Sequence, residues 1–430
     1  MHRKPASIRQ NQEPAERSKW SNMVEIHMEP SNVSRRNFFG ASAVGTMAAA
    51  STLTSPMSAA AQAVGIKPSD LPDLTIKEVK VYNMDRWKLG SVVTNSGIEG
   101  NYPVPDRYSH PNWSNMGWLE YAKGVLVGKS VRSLPTYTVQ WEPVVRRYGQ
   151  SSYAGSIDHC LWDILGKAVG MPIYTILGAY KERVLAYASS QHMKTVDDFV
   201  ADVQRCKSEG YKAYKIHPPW VDTPSRVDLK LDMEVTRAVR RTAGDDFHLL
   251  HDRVGAYTRD QAMRMGRLLD ELHYVAYEDP IPTTDIEGLV ELCRTLDVPI
   301  HIGEFIFSPY DFPEYIRRGA LDVVRFIQNY VGGITGGMKV AHLAECFGME
   351  CAPHNWGDAL EHAAHFHCEL AMPNNVWFEM TQPTGTSDRP YMLDRLRIDK
   401  DGYVPAPTKP GLGYEVDRAA LDKLTVRIDR

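Results

Sequence analysis

Residues 247–305 read FHLLHDRVGAYTRDQAMRMGRLLDELHYVAYEDPIPTTDIEGLVELCRTLDVPIHIGEF. Three short apolar runs lie in this stretch, Phe247–Asp252, Tyr274–Glu278 and Ile300–Glu304, and each closes on a carboxylate. Amphipathic segments, Thr258–Glu271 and Ile286–Leu296, separate them. Apolar runs alternating with helical segments predict βαβ units and a parallel sheet. The same pattern extends in both directions, with strands expected at Val184–Ser189, Ala213–His217, Val323–Gln328, Glu350–Pro353 and Val376–Glu379. Further helices are expected at Thr195–Glu209 and Thr335–Phe347. Eight strands in this span predict a (β/α)8-type barrel. The Gly332-Gly333 pair does not make a dinucleotide loop, because no GxGxxG accompanies it.

In such barrels the carboxyl ends of the strands converge on one mouth. Asp252, Glu278 and Glu304 are spaced 26 residues apart, one βα unit each, which predicts similar heights on consecutive strands. Three convergent carboxylates repel one another unless positive charge lies between them. An oxygen-only donor set favours a hard divalent cation, and Mg²⁺ is the expected ion. Lys215 and His217 alternate along one strand and so point to the same side, into the mouth. His354 closes the seventh expected strand, across the barrel, and Glu379 closes the eighth.

The rest of the chain bounds the function. Its 430 residues carry 49 basic and 53 acidic side chains and are 43% hydrophobic, the balance of an ordinary soluble protein. Neither a nucleic-acid nor a membrane-embedded role fits. Six dispersed cysteines without a CxxC pair predict buried free thiols rather than disulfides or zinc ligands. Ser34-Arg35-Arg36-Asn37-Phe38-Phe39-Gly40 precedes a weakly apolar stretch that ends at Ala61-Gln62-Ala63, a small-x-small cleavage site. This arrangement resembles a bacterial twin-arginine export signal, which implies a signal peptide over 1–63, a periplasmic mature chain and no membrane anchoring once it is removed. Leu74–Tyr82 predicts a strand, Asn83–Trp113 a long polar loop or lid, and Ala154–Leu177 a helix that stops at Gly170 and Pro172.

At these residues the sequence resembles the enolase superfamily, and within it the mandelate racemase group. The resemblance is carried by Ala154-Gly155-Ser156-Ile157-Asp158-His159-Cys160-Leu161-Trp162-Asp163 with Gly166-Lys167, by the three acids, by Gly332-Gly333-Ile334-Thr335 and by Pro410-Gly411-Leu412-Gly413. It implies an α/β fold, a modified TIM barrel of the (β/α)7β type over 183–384. An N-terminal α+β capping domain over 64–182 would be completed by the C-terminal segment 385–430. It also implies abstraction of the proton α to a carboxylate, with one Mg²⁺ held by Asp252, Glu278 and Glu304. Lys215 matches the family's substrate-contacting lysine, whereas His217 stands where the family has its basic lysine. His354 matches the histidine that racemases pair with an aspartate on the preceding strand, but the aspartate position is Ile327, and neighbouring Gln328 and Asn329 are not anionic.

Without that partner His354 is expected to be a poorer base and a readier acid, which fits β-elimination better than two-base racemisation. The expected function is therefore dehydration of an acid sugar, an aldonate or aldarate, with His217 or Lys215 as base and His354 as acid. A racemase, epimerase or cycloisomerase shares the same enolate step, and a non-catalytic periplasmic sugar-acid binding protein is the alternative of another class. Substrate contacts are expected from Arg86, Tyr108, Arg253, Trp356 and Glu379, with Asn101, Tyr102, Arg107, His110 and Tyr257 also available. The expected partner is a small-molecule carboxylate, and the family implies a homo-oligomer, a dimer or octamer.

Overall fold

Residues 67–104, 115–133, 151–220 and 226–430 are described by the computed structural model, and all fall within one compact unit, Thr54–Arg430. Strands β1 (Ile76–Met84), β2 (Lys88–Thr94) and β3 (Glu99–Pro103) form an antiparallel ladder, followed by helices α1 (Asn115–Leu126), α2 (Ser151–Val169) and α3 (Ile173–Leu177). The expected loop Asn83–Trp113 is thus corrected as far as Pro103. Polar composition concealed the strands because β2 is buried on both faces from Leu89 to Thr94, so no inside–outside alternation marks it. Its polar side chains are satisfied internally: Thr94 Oγ1 donates to the Ile98 carbonyl at 3.1 Å, and Ser91 bonds Glu99. Residues 105–114 lie outside the described part of the chain.

The barrel follows as β4 (Arg183–Ser189), α4 (Val196–Ser208), β5 (Ala213–Ile216), α5 (Leu229–Ala243), β6 (His248–Asp252), α6 (Arg259–Glu271), β7 (Ala276–Glu278) and α7 (Ile286–Thr295). It continues through β8 (Ile300–Ile302), α8 (Phe312–Arg318), β9 (Val323–Val324), α9 (Gln328–Val331), α10 (Gly333–Cys346), α11 (Ala359–Ala371) and β10 (Trp377–Thr381). The sheet order is β10-β4-β5-β6-β7-β8-β9, with parallel pairing throughout. The expected strand Glu350–Pro353 shrinks to a single bridge, Val324↔Cys351. The segment still runs between its neighbours: the Val324 amide donates to the Glu350 carbonyl and the Ala352 and His354 amides donate to the Val324 and Phe326 carbonyls, while on the other edge the Cys351 amide donates to the Asn374 carbonyl and its carbonyl accepts from Asn375 Nδ2.

Helix starts are written into the sequence. Thr195, Thr258 and Asp358 each cap a helix with the side chain and donate the backbone amide in return to the side-chain oxygen three positions on, of Asp198, Gln261 and Glu361. Each helix then buries one stripe, as in α6 with Ala262, Met265, Leu268 and Leu269. Four of the six cysteines are buried, Cys293 is half-buried and Cys346 exposed; all are free thiols. Among the described residues no helix is long and apolar enough to cross a membrane.

The C-terminal tail adds β11 (Tyr403–Pro405), α12 (Arg418–Leu424) and β12 (Thr425–Asp429), and β12 pairs antiparallel with β1, so the last strand completes the first sheet. Asp163 on α2 fastens the tail by accepting from the Leu412 amide at 2.9 Å, while also accepting from Lys167 and the Asn101 amide. Asp158, one helical turn earlier, accepts from the Thr335 amide at 3.0 Å and Thr335 Oγ1 at 2.7 Å, joining α2 to the start of α10. Gly333 must be glycine there, because its φ is +79° and a Cβ would lie 2.4 Å from Asp158 Oδ2.

Burial pushes the Asp158 carboxyl up to about 7 even though the Thr335 bonds pull it down. The folded state therefore holds this proton more tightly than the unfolded chain, whose pKa stays near 3.8. Stability from Asp158 is present at low pH and is lost as pH rises from about 4 to about 7. Asp158→Asn removes this dependence, so the melting-temperature difference between wild type and variant should fall as pH rises from 5 to 8. A difference that stays constant over that range would refute the assignment.

Candidate active site

Register delivers the acids to one level. Asp252 pairs directly with Glu278 across β6 and β7, and Glu304 follows β8 after Gly303. Gly303 has φ +137° and a Cβ there would sit 2.0 Å from the Arg325 carbonyl oxygen, so only glycine lets the chain turn Glu304 inward against β9. Lys215 is the penultimate residue of β5, and His217 lies just beyond its end. All of these side chains are buried, none more than 4% exposed.

The acids enclose fixed cations. Lys215 Nζ lies 2.7 Å from Glu379 Oε1, 2.9 Å from Glu278 Oε2 and 3.4 Å from Asp252 Oδ2. Burial and nearby Arg325 both work against the ammonium, but Glu278 and Glu379 outweigh them and hold its pKa well above the ordinary lysine value. Lys215 is thus a protonated cation and has no lone pair to accept a proton. His217 differs: its Nδ1 lies 2.7 Å from the Ser190 carbonyl oxygen, an obligatory acceptor, so Nδ1 carries a proton. Nε2 faces the acids and lies 2.9 Å from Asp252 Oδ2, a distance at which it donates to the ionised carboxylate, so it becomes the bare nitrogen a base needs only once that proton has left.

His354 turns Nδ1 inward, 2.7 Å from Glu304 Oε2 and 3.4 Å from Arg325 Nη2. The sequence correctly denied it an anion on the preceding strand, but wrongly left it without one: Glu304, from β8, supplies the carboxylate. The position beyond β9 holds Arg325 instead, 1% exposed, with Nε 2.5 Å from Glu278 Oε1 and Nη2 2.6 Å from Glu379 Oε2. Arg325 escaped the sequence reading, although a lone charge in the apolar run Val323–Gln328 was a signal, since a buried arginine requires anions. Asp279, beside Glu278, was also missed as a site residue. Burial, reinforced by Glu304 and Asp252, keeps its carboxyl well above the usual range.

The site fits a divalent cation. Among the described residues, Asp252, Glu278, Asp279, Glu304 and Glu379 face two permanent cations, Lys215 and Arg325. Both Asp279 oxygens are buried without a hydrogen bond, and Glu278 Oε1 and Glu304 Oε2 meet Arg325 Nε and His354 Nδ1 as ion pairs without an aligned bond, an excess of buried oxygen that ligation would relieve. Ligand atoms of Glu278, Glu304 and His354 lie within 4.8 Å of one another. Asp252 is outside this tightest group and faces Lys215 and His217 instead.

Trp356 lies in the wall of the site, its Nε1 donating to Ser189 Oγ at 3.1 Å and its ring 5.2 Å from that of His217. Glu379 is present but fully used, accepting from Ser189 Oγ, Lys215, Arg325 and the Asn355 amide, so it has no oxygen left for substrate. Arg253 is not brought to the site. One residue beyond Asp252 the chain presents the other face, and Arg253 is buried against Asp232 at 3.2 Å, with Tyr257 bonded to the same carboxylate. Arg86 is exposed in the turn between β1 and β2. Tyr102 is buried and stacked on His159, and Asn101 is buried beside it. Tyr108, Arg107 and His110 lie outside the described residues.

Comparison with known proteins bears on this arrangement. Residues 198–420 match the family model described as Enolase C-terminal domain-like. The chain is 28% identical to the arabinonate dehydratase of Saccharolobus solfataricus, over 63% of this chain and 72% of that one. It is 30% identical to a D-galactonate dehydratase family member of Chromohalobacter salexigens, over 62% of this chain and 73% of that one. The D-glucarate dehydratase of Agrobacterium tumefaciens, solved with magnesium, superposes with a TM-score of 0.74 at 27% identity, covering 83% of this chain and all of the other. With acids at successive strand ends, a lysine and histidine facing them, and a family match spanning more than half its length, this chain belongs to the enolase superfamily.

Proposed function

We propose that the protein is a hydro-lyase that dehydrates an acid sugar, an aldonate or aldarate. The observation that carries this reading is the pair of histidines, one just beyond β5 and one just beyond the Cys351 bridge, each fixed through Nδ1, His217 by the Ser190 carbonyl and His354 by Glu304. His217 Nε2 accepts the proton from the carbon α to the substrate carboxylate. The electron pair left behind forms an enediolate, then expels the hydroxyl from the neighbouring carbon. His354, as an imidazolium stabilised by Glu304, gives its Nε2 proton to that hydroxyl, which leaves as water. The neutral ring retains the Nδ1 proton against Glu304, and the enol product tautomerises to a 2-keto-3-deoxy acid. Lys215, held protonated, supplies positive charge beside the developing anion.

Asp252, Glu278 and Glu304 would hold Mg²⁺, which when bound draws off charge from the substrate carboxylate. The dehydratases among the relatives support this reading, and so does the mismatch between five acids and two permanent cations among the described residues. We also propose that residues 1–63 direct export by the twin-arginine pathway and that the enzyme works in the periplasm; Arg35→Lys with Arg36→Lys should hold the chain in the cytoplasm, as read by fractionation.

The function is tested by incubating Mg²⁺-loaded protein with a panel of aldonates and aldarates in deuterated water, reading keto acid and α-deuterium together. A 2-keto-3-deoxy product from at least one member is expected. Exchange or epimer without keto acid from any of them would replace dehydration by proton transfer alone, and binding without exchange would favour a non-catalytic role.

A further inference from the structure

Both oxygens of Glu278 are already engaged by fixed cations. Lys215 Nζ meets Oε2 at 2.9 Å, and Arg325 Nε lies 2.5 Å from Oε1 and 3.7 Å from Glu304 Oε2. Arg325 is therefore lodged between two of the residues assigned to the ion. It cannot give way by losing a proton, because a guanidinium stays charged in proteins. Its main chain is pressed against Gly303, and its Nη1 donates to the Ala352 carbonyl at 3.0 Å, with Tyr187 Oη at 3.5 Å. These contacts anchor it independently of Glu278.

Glu379 holds the same two cations from the other side. Its Oε1 lies 2.7 Å from Lys215 Nζ and its Oε2 2.6 Å from Arg325 Nη2. Ser189 Oγ and the Asn355 amide complete its bonds, so it is a fixed and fully satisfied anion. Lys215 and Arg325 are thus shared between Glu278, which is assigned to the ion, and Glu379, which is not. Whatever fraction of their charge Glu379 takes is charge that Glu278 need not hold.

We propose that Arg325 and Glu379 are positioning residues that set the affinity of the site for its divalent ion. Arg325 competes with the ion for Glu278, and Glu379 is the counter-anion that retains Arg325 and Lys215 when Glu278 turns to the ion. The inference rests on the metal reading given above. It predicts opposite signs for the two residues, which a shared structural role would not produce.

The test is calorimetric titration of Mg²⁺, and separately Mn²⁺, into chelator-treated full-length protein. Arg325→Gln should bind at least about 10-fold more tightly than wild type, and Glu379→Gln at least about 10-fold more weakly. The double variant should lie between the two single variants and not at their product, because with Arg325 gone Glu379 can act only through Lys215. Arg325→Lys keeps the charge but not the fork that spans Glu278 and Glu379, so it should bind more tightly than wild type and less tightly than Arg325→Gln. Should Arg325→Gln fail to fold because it strands Glu379, then Glu379→Gln and Arg325→Lys still carry the test. Equal or weaker binding by Arg325→Gln, or equal or tighter binding by Glu379→Gln, overturns the proposal while leaving the metal site standing. A wild type that binds neither ion overturns both.

Discussion

Replacing His217 by Asn should abolish α-proton exchange and keto-acid formation together, with kcat lower by about 10²- to 10⁴-fold, the usual yield of one general base. Asparagine keeps a donor for the Ser190 carbonyl and so preserves the local bond, but it has no basic nitrogen to offer at the Nε2 position. His354→Asn should separate the two readouts. Its loss removes the proton for the leaving hydroxyl, so keto acid falls by a similar factor, while solvent deuterium still enters at the α-carbon because His217 is intact. Deuterium exchange and keto-acid production measured on the same samples decide the matter. Undiminished exchange in His217→Asn would remove it as base, and exchange lost equally in both variants would make the histidines a two-base pair, as in an epimerase.

The sequence carried the acids and both histidines because their signal is one-dimensional. A polar residue closing an apolar run, repeated at the length of a βα unit, becomes a three-dimensional ring once parallel strands are in register, and Asp252 opposite Glu278 is that register made visible. The partners of those residues were not legible for the same reason. Ser190 reaches His217 and Glu304 reaches His354 across strand boundaries, and no interval along the chain encodes which of several nearby acids a ring nitrogen will face. Glu379 illustrates the limit: its place at a strand end was readable, but its saturation by four donors depends on β4, β5, β9 and the segment at Asn355 arriving together. The strands β2 and β3 were hidden for another cause, since full burial of a polar strand erases the alternation that announces a half-buried one.

Lys215→Met should produce the largest loss of stability of any substitution in the site, about 3–5 kcal/mol in the metal-free protein. Methionine nearly conserves volume, so packing changes little, but three carboxylates within 3.4 Å lose their shared cation while remaining fully buried. Arg325 can compensate Glu278 and Glu379, which it already touches, but Asp252 is left with the Val254 amide and His217, neither of them a permanent cation. The acids escape the penalty by taking up protons, so the deficit should be smaller at pH 5 than at pH 8. That pH dependence would be absent if methionine merely disturbed packing, which would cost the same at both. Mg²⁺ should restore more stability to the variant than to wild type, because in the variant it replaces a missing charge as well as filling its own place. Thermal melts at the two pH values, with and without Mg²⁺, check all three statements. A variant that melts within about 2 °C of wild type at pH 8 would show that Lys215 is not the counter-ion that holds this cluster of acids together.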